Sequence, residues 1–391
     1  MSRRQSKRRR LVVETPESSD LQIASLWSDL PLYIGNLILD KLHEVVEHIK
    51  FGAVCKGWYI ILKEIAKPSR NVLPMLLVTS QDAPQPPLLL FSLSCLSKYY
   101  SKLQLRLPYS HRRCIGTSHG WVATQNLDFT FTLMNPFGRD IQIINLPSLG
   151  DQSWNSTLDA DILKLVISSD STPSDYTIVA IYCKLDEFAT IKAGEKSWVY
   201  INTHSPTLSD ALFKDIIFHQ GAVYLVDHLC NIIKVDVHSR PPVIKAVHHL
   251  LRETELHTPF VPYLVESTFS DLYLLQRFYE RRVSATISFN IFKLKVHGDK
   301  GEQFITKKSK DLRGDTFFIG DDTTSMAIRS IGCKPNSIYV TDKDYWDKRI
   351  YIVANYIIEG GAQIIYCKTT IHGVPQPIWI VPQQHFDLCF C

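Results

Sequence analysis

Gly116-Thr117-Ser118-His119-Gly120 matches the Gly-x-Ser-x-Gly pattern, in which a serine raised on a sharp turn and activated by a histidine attacks an acyl carbon. That chemistry needs a strand before the serine and a helix after it, because the helix start helps hold the oxyanion. The residues that follow, Trp121-Val122-Ala123-Thr124, read as a strand instead. A serine hydrolase centred on Ser118 is therefore the alternative reading, not the first. His43-Glu44 with His48 invites comparison with a helical zinc site, but that site spaces its histidines four apart. Five apart, they diverge by ~140° at 3.6 residues per turn, cannot share a metal on one face, and are expected on a solvated helix surface. His248-His249 has no Cys or Asp cluster beside it. Cys389-Phe390-Cys391 lacks both upstream basic residues and the Cys-a-a-x order of a prenylation signal. With no Gly-rich phosphate loop either, the expectation is a chain without catalytic residues, metal or cofactor.

The chain that would position any such groups has 391 residues, 45% of them hydrophobic and 21% charged, ordinary values for a soluble globular protein with room for one small and one large domain. Its formal charge of +4 is unevenly placed. Arg3, Arg4, Lys7, Arg8, Arg9 and Arg10 hold six of the basic residues, leaving 37 against 39 acidic ones in the remainder. A near-neutral body argues against a large nucleic-acid footprint there. Nine scattered cysteines with no Cys-x-x-Cys pair suit a reducing compartment, where the sequon Asn155-Ser156-Thr157 has no meaning. No apolar run reaches the ~18 residues that span a bilayer, and no apolar signal core follows the basic start. The reading is a protein of the nucleus, the cytoplasm or both, with no membrane partner.

Residues 1–22 are charged, then rich in Ser, Pro and Glu, and are read as a disordered tail whose basic run is a possible nuclear-import signal. Residues 27–66 carry a different pattern. Ile34, Ile38 and Leu42 recur every fourth residue behind Pro31; Val45, Val46 and Ile49 precede Gly52; Trp58, Ile61, Leu62 and Ile65 follow at helical spacing. Three short helices are predicted. A unit of about 40 residues is near the lower limit for an independent core, so apolar side chains left on its face ask for a partner. Lys67-Pro68 ends the helices, and from Met75 onward short β-branched and aromatic runs alternate with Gly, Pro, Asn and Asp, as strands do. Gly120-Trp121-Val122, Gly221-Ala222-Val223-Tyr224 and Asn336-Ser337-Ile338-Tyr339 repeat one phrase at spacings of 103 and 115 residues. Each spacing is about two propeller blades of roughly 50 residues, which predicts six or seven blades; two stacked β-sandwiches are the alternative.

Leu30-Pro31, Ile34, Ile38, Leu42, Val54-Cys55 and Trp58 together resemble the F-box, the segment that docks on a Skp-type adaptor in cullin ubiquitin ligases. An acidic residue that often follows the Leu-Pro is replaced here by Leu32-Tyr33-Ile34-Gly35. The resemblance continues through Ser118-His119-Gly120-Trp121, Asn135-Pro136-Phe137, Leu146-Pro147, Lys214-Asp215-Ile216-Ile217-Phe218, the stretch from Gly332 to Tyr339 and Pro377-Ile378-Trp379-Ile380-Val381-Pro382. These, in that order, are similar to a plant F-box family whose C-terminal domain is taken to be a kelch-like β-propeller. The resemblance implies an α+β multidomain chain: a disordered tail (1–22), a three-helix F-box (23–67), a linker (68–75) and an all-β propeller (76–391). It implies a non-catalytic, target-recognising subunit of a Skp-cullin-F-box ligase. Leu30, Pro31, Ile34, Ile38, Leu42, Val54, Cys55 and Trp58 would meet the adaptor, and through it a cullin, while the propeller binds an unknown target protein. An F-box protein working outside a cullin ligase is the further alternative.

Overall fold

A computed structural model describes residues 27–381, except 66–71, 80–87, 94–101, 106–110, 138–140, 150–161, 169–170, 183–186, 202–210, 250–258, 281–284, 298–302, 310, 322, 330–331, 344–349, 360–361 and 373–377. The three helices lie where the periodicity puts them: α1 (Leu32–Leu39), α2 (Val45–Gly52) and α3 (Lys56–Ile65). Pro31, at φ −59°, stands at the N-cap of α1, where its missing N–H costs nothing. A capping box starts α2: Glu44 takes the N3 amide, and the Glu47 carboxylate accepts from the N–H groups of Glu44 and His43 at 3.1 and 2.9 Å. Leu39, Phe51, Ile61 and Leu62 form the shared core, with Leu30, Ile38, Leu42 and Trp58 packed around it. Gly35 sits at the crossing of α1 and α3, where a Cβ would come within 2.4 Å of Ile61 Cγ2.

His48 departs from the expected solvated surface. Its ring is buried in α2 and bonds the Leu42 carbonyl at 3.0 Å through Nε2. Burial lowers its pKa most, and His43 adds to that; the carbonyls of Leu42 and Leu39 and the Glu47 carboxylate oppose it. Because the folded ring holds its proton less tightly than the unfolded one, this group's stabilisation is complete above about pH 6.5 and shrinks as pH falls toward the depressed folded value. Thermal unfolding at pH 7.5 and 5.5 is expected to show a loss on acidification that is smaller in His48→Gln. Equal losses in the two proteins would exclude the ring as the source.

Among the described residues, the elements that follow α3 are strands. Blade 1 holds β1 (Met75–Thr79), β2 (Leu88–Ser92) and β3 (Lys102–Leu105). Blade 2 is β4 (His111–Ser118), β5 (Trp121–Asn126), β6 (Phe131–Asn135) and β7 (Gln142–Leu146); blade 3 is β8 (Ile162–Ile167), β9 (Thr177–Tyr182), β10 (Glu187–Lys192) and β11 (Val199–Ile201). Blade 4 is β12 (Phe213–His219), β13 (Ala222–Asp227), β14 (Asn231–Asp236) and β15 (Val243–His249). Blade 5 is β16 (Phe260–Glu266), β17 (Leu272–Glu280), β18 (Ala285–His297) and β19 (Gln303–Lys308). Blade 6 is β20 (Thr316–Ile319), β21 (Met326–Ile328), β22 (Ser337–Lys343), β23 (Ile350–Glu359) and β24 (Ala362–His372). β25 (Ile378–Ile380) then pairs antiparallel with β1, so the chain's last described strand completes its first blade and closes the ring. The fold is thus a six-bladed propeller preceded by three helices.

A blade packed between two neighbours is buried on both faces, so its middle strands read as continuous apolar runs: Ile178 to Ile181 and Val223 to Val226 are wholly or almost wholly shielded from solvent. The repeated sequence phrase is a hairpin. His119-Gly120 (φ 47° and 76°) and Gln220-Gly221 (φ 48° and 76°) are matching two-residue turns with both central residues left-handed, joining β4 to β5 and β12 to β13. Its spacing marks every second blade. In blade 6 the pattern changes: the sheet has five strands in the order β21-β20-β22-β23-β24, and β20 runs parallel to β22. Asn336, at φ 54°, stands just before β22 and accepts from the N–H groups of Leu312 and Gly314, in the turn before β20, at 3.1 and 2.8 Å.

The helices are fixed to the propeller rather than hung from it. Val45 and Ile49 of α2 pack with Val72, Met75, Leu77, Val122, Phe137 and Ile380, and Leu73 N–H donates to the His43 carbonyl at 2.8 Å. Of the expected linker, Val72 to Pro74 are buried and Met75 already opens β1; 68–71 lie outside the described residues. So do residues 1–22 and Cys389 and Cys391. Among the described residues no helix is long and apolar enough to cross a membrane.

Candidate functional site

The helical unit holds apolar side chains outside its own core in two settings. One set, Val45 and Ile49, is packed on the propeller. The other is open to solvent: Trp27, Leu32, Tyr33, Leu37, Val54 and Ile60 are exposed, as is Pro31, and none of them belongs to the helical core or to the propeller contact. Tyr33 and Leu37 stand one turn apart on α1 and are 67% and 58% exposed. The segment before α1 is held in place by α3. Trp58 Nε1 donates to the Trp27 carbonyl at 2.6 Å, and a Cβ on Gly57 would fall 2.2 Å from the Ser28 carbonyl oxygen, so only glycine allows that approach.

The residues named from the sequence divide between these roles. Pro31 and Val54 are on the open surface. Leu30, Ile38, Leu42 and Trp58 are half-buried and largely engaged in the helical core, with the Phe51 and Trp58 rings 4.5 Å apart; Ile34 and Cys55 are also half-buried. Arg3, Arg4, Lys7, Arg8, Arg9 and Arg10 lie outside the described residues. Leu32, Tyr33 and Leu37 were not picked out by periodicity, which selects the inward face. Composition carries the missed signal: α1 is apolar at every position except Gly35 and Asn36, and a helix apolar all round at the surface of a small bundle must leave some of those groups in solvent.

In the propeller, Ser118 ends β4 and is followed by a turn and then β5, so the strand-to-helix elbow of a serine hydrolase is not what surrounds it. His119 Nδ1 is 3.0 Å from the Ile167 carbonyl oxygen, which can only accept, so that nitrogen carries the proton. The same nitrogen is the one 3.3 Å from Ser118 Oγ. It cannot take the serine's proton. Near the axis, Lys164 and Asp215 form a buried ion pair at 2.6 Å. No group of three or more His, Cys, Asp or Glu among the described residues is arranged to hold a metal.

A family model described as the KIB1-4 beta-propeller matches residues 90–366. Two curated Arabidopsis thaliana proteins named as F-box proteins are similar to parts of the chain. At4g22660 is 24% identical over 151 residues, covering 36% of this chain and 37% of that protein, and At3g25750 is 27% identical over 221 residues, covering 51% and 56%. The chain thus spans about half or less of the length of these relatives. Among solved structures, a functionally unknown Desulfotomaculum acetoxidans protein is 12% identical over 79% of this chain and 100% of that one, with a TM-score of 0.41. The Cps50 (Swd1) beta-propeller domain of Myceliophteria thermophila is 9% identical over 78% and 90%, with a TM-score of 0.38.

Proposed function

This chain belongs to the KIB1-4 beta-propeller family, and from that premise we propose that it recruits a target protein to a Skp-cullin-F-box ubiquitin ligase, with the three helices serving as the F-box. The observation that carries this reading is the set of exposed apolar side chains Trp27, Pro31, Leu32, Tyr33, Leu37 and Val54 on a helical unit whose Val45 and Ile49 are already packed on the propeller. The names of the Arabidopsis thaliana relatives support it. The mechanism is positional and the chain itself makes or breaks no bond. Covering the open surface binds the adaptor; the propeller holds the target; the cullin arm brings the charged enzyme. Tethering then raises the target's local concentration, as linking any two binding sites does. The packed α2 contact makes that spacing rigid. The site of action is the nucleus, the cytoplasm or both. The test is co-purification of the intact chain mixed with a Skp-type adaptor and a cullin. A ternary complex is expected. Adaptor retained without cullin would place the protein outside a cullin ligase, and no adaptor retained would refute the reading.

A further inference from the structure

Between the inner strands of blades 1, 2 and 6 lies an open pocket of about 170 Å³, reached by Thr117 and Ser118 from β4, Thr324 from the approach to β21, Met326 and Ile328 from β21, and Ile380 from β25. Its lining combines aliphatic side chains with a set of hydroxyls. The hydroxyl protons can be accounted for one by one. Thr117 Oγ1 donates to the Trp379 carbonyl, and neighbouring Ser325 Oγ points at Asp215 Oδ2, 3.4 Å away. Ser118 Oγ accepts from the Ile167 N–H at 3.2 Å and faces the protonated Nδ1 of His119, so its own O–H has no acceptor among the described residues. Thr324 Oγ1 is buried without a hydrogen-bond partner among the described residues, although its backbone N–H is held by the Thr117 carbonyl at 3.0 Å.

Buried hydroxyl donors without acceptors are costly and uncommon, and two beside one pocket point to an absent acceptor. Water would meet the hydroxyls and leave its other side against Met326, Ile328 and Ile380. A group with an acceptor oxygen and a short carbon chain satisfies both. Size fits this: a cavity of about 150 Å³ holds benzene, so one valine- or leucine-sized group fills this pocket. We propose that the pocket is a ligand subsite for a short aliphatic carbonyl group. Ser118 and Thr324 donate to its oxygen, Thr324 by a χ1 rotation that exchanges its methyl and hydroxyl, and Met326, Ile328 and Ile380 enclose its carbon chain. The hydroxyl wall is rigid, since Thr117, Thr323 and Trp379 stitch the three blades together there. This inference does not depend on how the helices are used.

The carbonyl could come from a free small amide or from an aliphatic residue of a peptide, and two probes separate these sources. Methyl NMR of the full chain, titrated with isobutyramide and separately with N-acetylvaline methylamide, is expected to move the Met326, Ile328 and Ile380 methyl signals to saturation in the millimolar range. Saturation by the peptide mimic alone assigns the subsite to peptides; saturation by both assigns it to the small carbonyl itself. Ser118→Ala and the near-isosteric Thr324→Val should each weaken binding roughly three- to tenfold, the worth of one hydrogen bond. Thr324→Val keeps the volume, so it serves if Ser118→Ala fails to fold. No movement with either probe, or unchanged affinity in Thr324→Val, would overturn the proposal and leave the pocket to water.

Discussion

Asp215→Asn is expected to lower the unfolding free energy of the propeller by about 3–5 kcal/mol, the cost of leaving a buried charge without its partner. Asp215 is fully buried on β12 in blade 4, and Lys164, 4% exposed on β8 in blade 3, is 2.6 Å from its Oδ1. Its Oδ2 accepts from the Leu264 N–H of blade 5 at 2.8 Å and lies 3.4 Å from Ser325 Oγ beside blade 6. One carboxylate therefore ties the inner strands of blades 3, 4 and 5 and reaches the segment that leads into β21. Burial pushes the Asp215 carboxyl upward, while Lys164 and the N–H groups of Leu264 and Ile216 pull it down. Asparagine keeps the size and removes the charge, and no other described group accepts from the Lys164 ammonium. Adding Lys164→Met should recover part of the loss by removing the stranded cation, but not all, because the amides facing Asp215 stay poorly matched. Denaturant midpoints of the two variants decide the matter: an unchanged midpoint in Asp215→Asn would mean that the pair does not hold the axis together.

Replacing Tyr33 and Leu37 by Ala together is expected to weaken adaptor binding by roughly two to four powers of ten. Burying one large apolar side chain is worth ~1.5–3 kcal/mol, and each 1.4 kcal/mol is tenfold in affinity. The same change should leave folding nearly untouched, since both side chains are mostly exposed and outside the helical core. That separation is what Leu30→Ala lacks. Leu30, Ile38, Leu42 and Trp58 pack around Leu39, Phe51, Ile61 and Leu62, so truncating any of them mixes loss of the helical unit with loss of docking.

The contrast shows what a sequence can reveal about such a chain. Helices appear in it because an apolar residue every third or fourth position is a local signal, and α1, α2 and α3 lie where Ile38, Ile49 and Ile61 announce them. Blade count is legible to within one because a tight hairpin with two left-handed residues needs Gly at His119-Gly120 and Gln220-Gly221, and the turn recurs with the architecture. Other features depend on residues far apart in the chain. Lys164 and Asp215 are separated by 51 positions, and nothing near either one signals that both face the axis. The parallel pairing of β20 and β22 depends on the intervening β21, only three residues long. His48 looks like a surface residue until the fold of the preceding loop brings the Leu42 carbonyl to its ring. Exposed apolar residues are hard to read for a related reason: periodicity finds the residues that hold helices together, such as Ile38 and Leu42, and passes over those left in solvent, such as Tyr33 and Leu37.

The most direct test is a calorimetric titration of a Skp-type adaptor into the intact chain and into Tyr33→Ala/Leu37→Ala, after thermal unfolding has shown that the two are equally stable. The account predicts saturable one-to-one binding to the intact chain and binding at least a hundredfold weaker, by the same arithmetic, to the variant. Equal affinity for both would place the adaptor elsewhere on the molecule, and no heat with either would mean that this apolar surface serves a different partner.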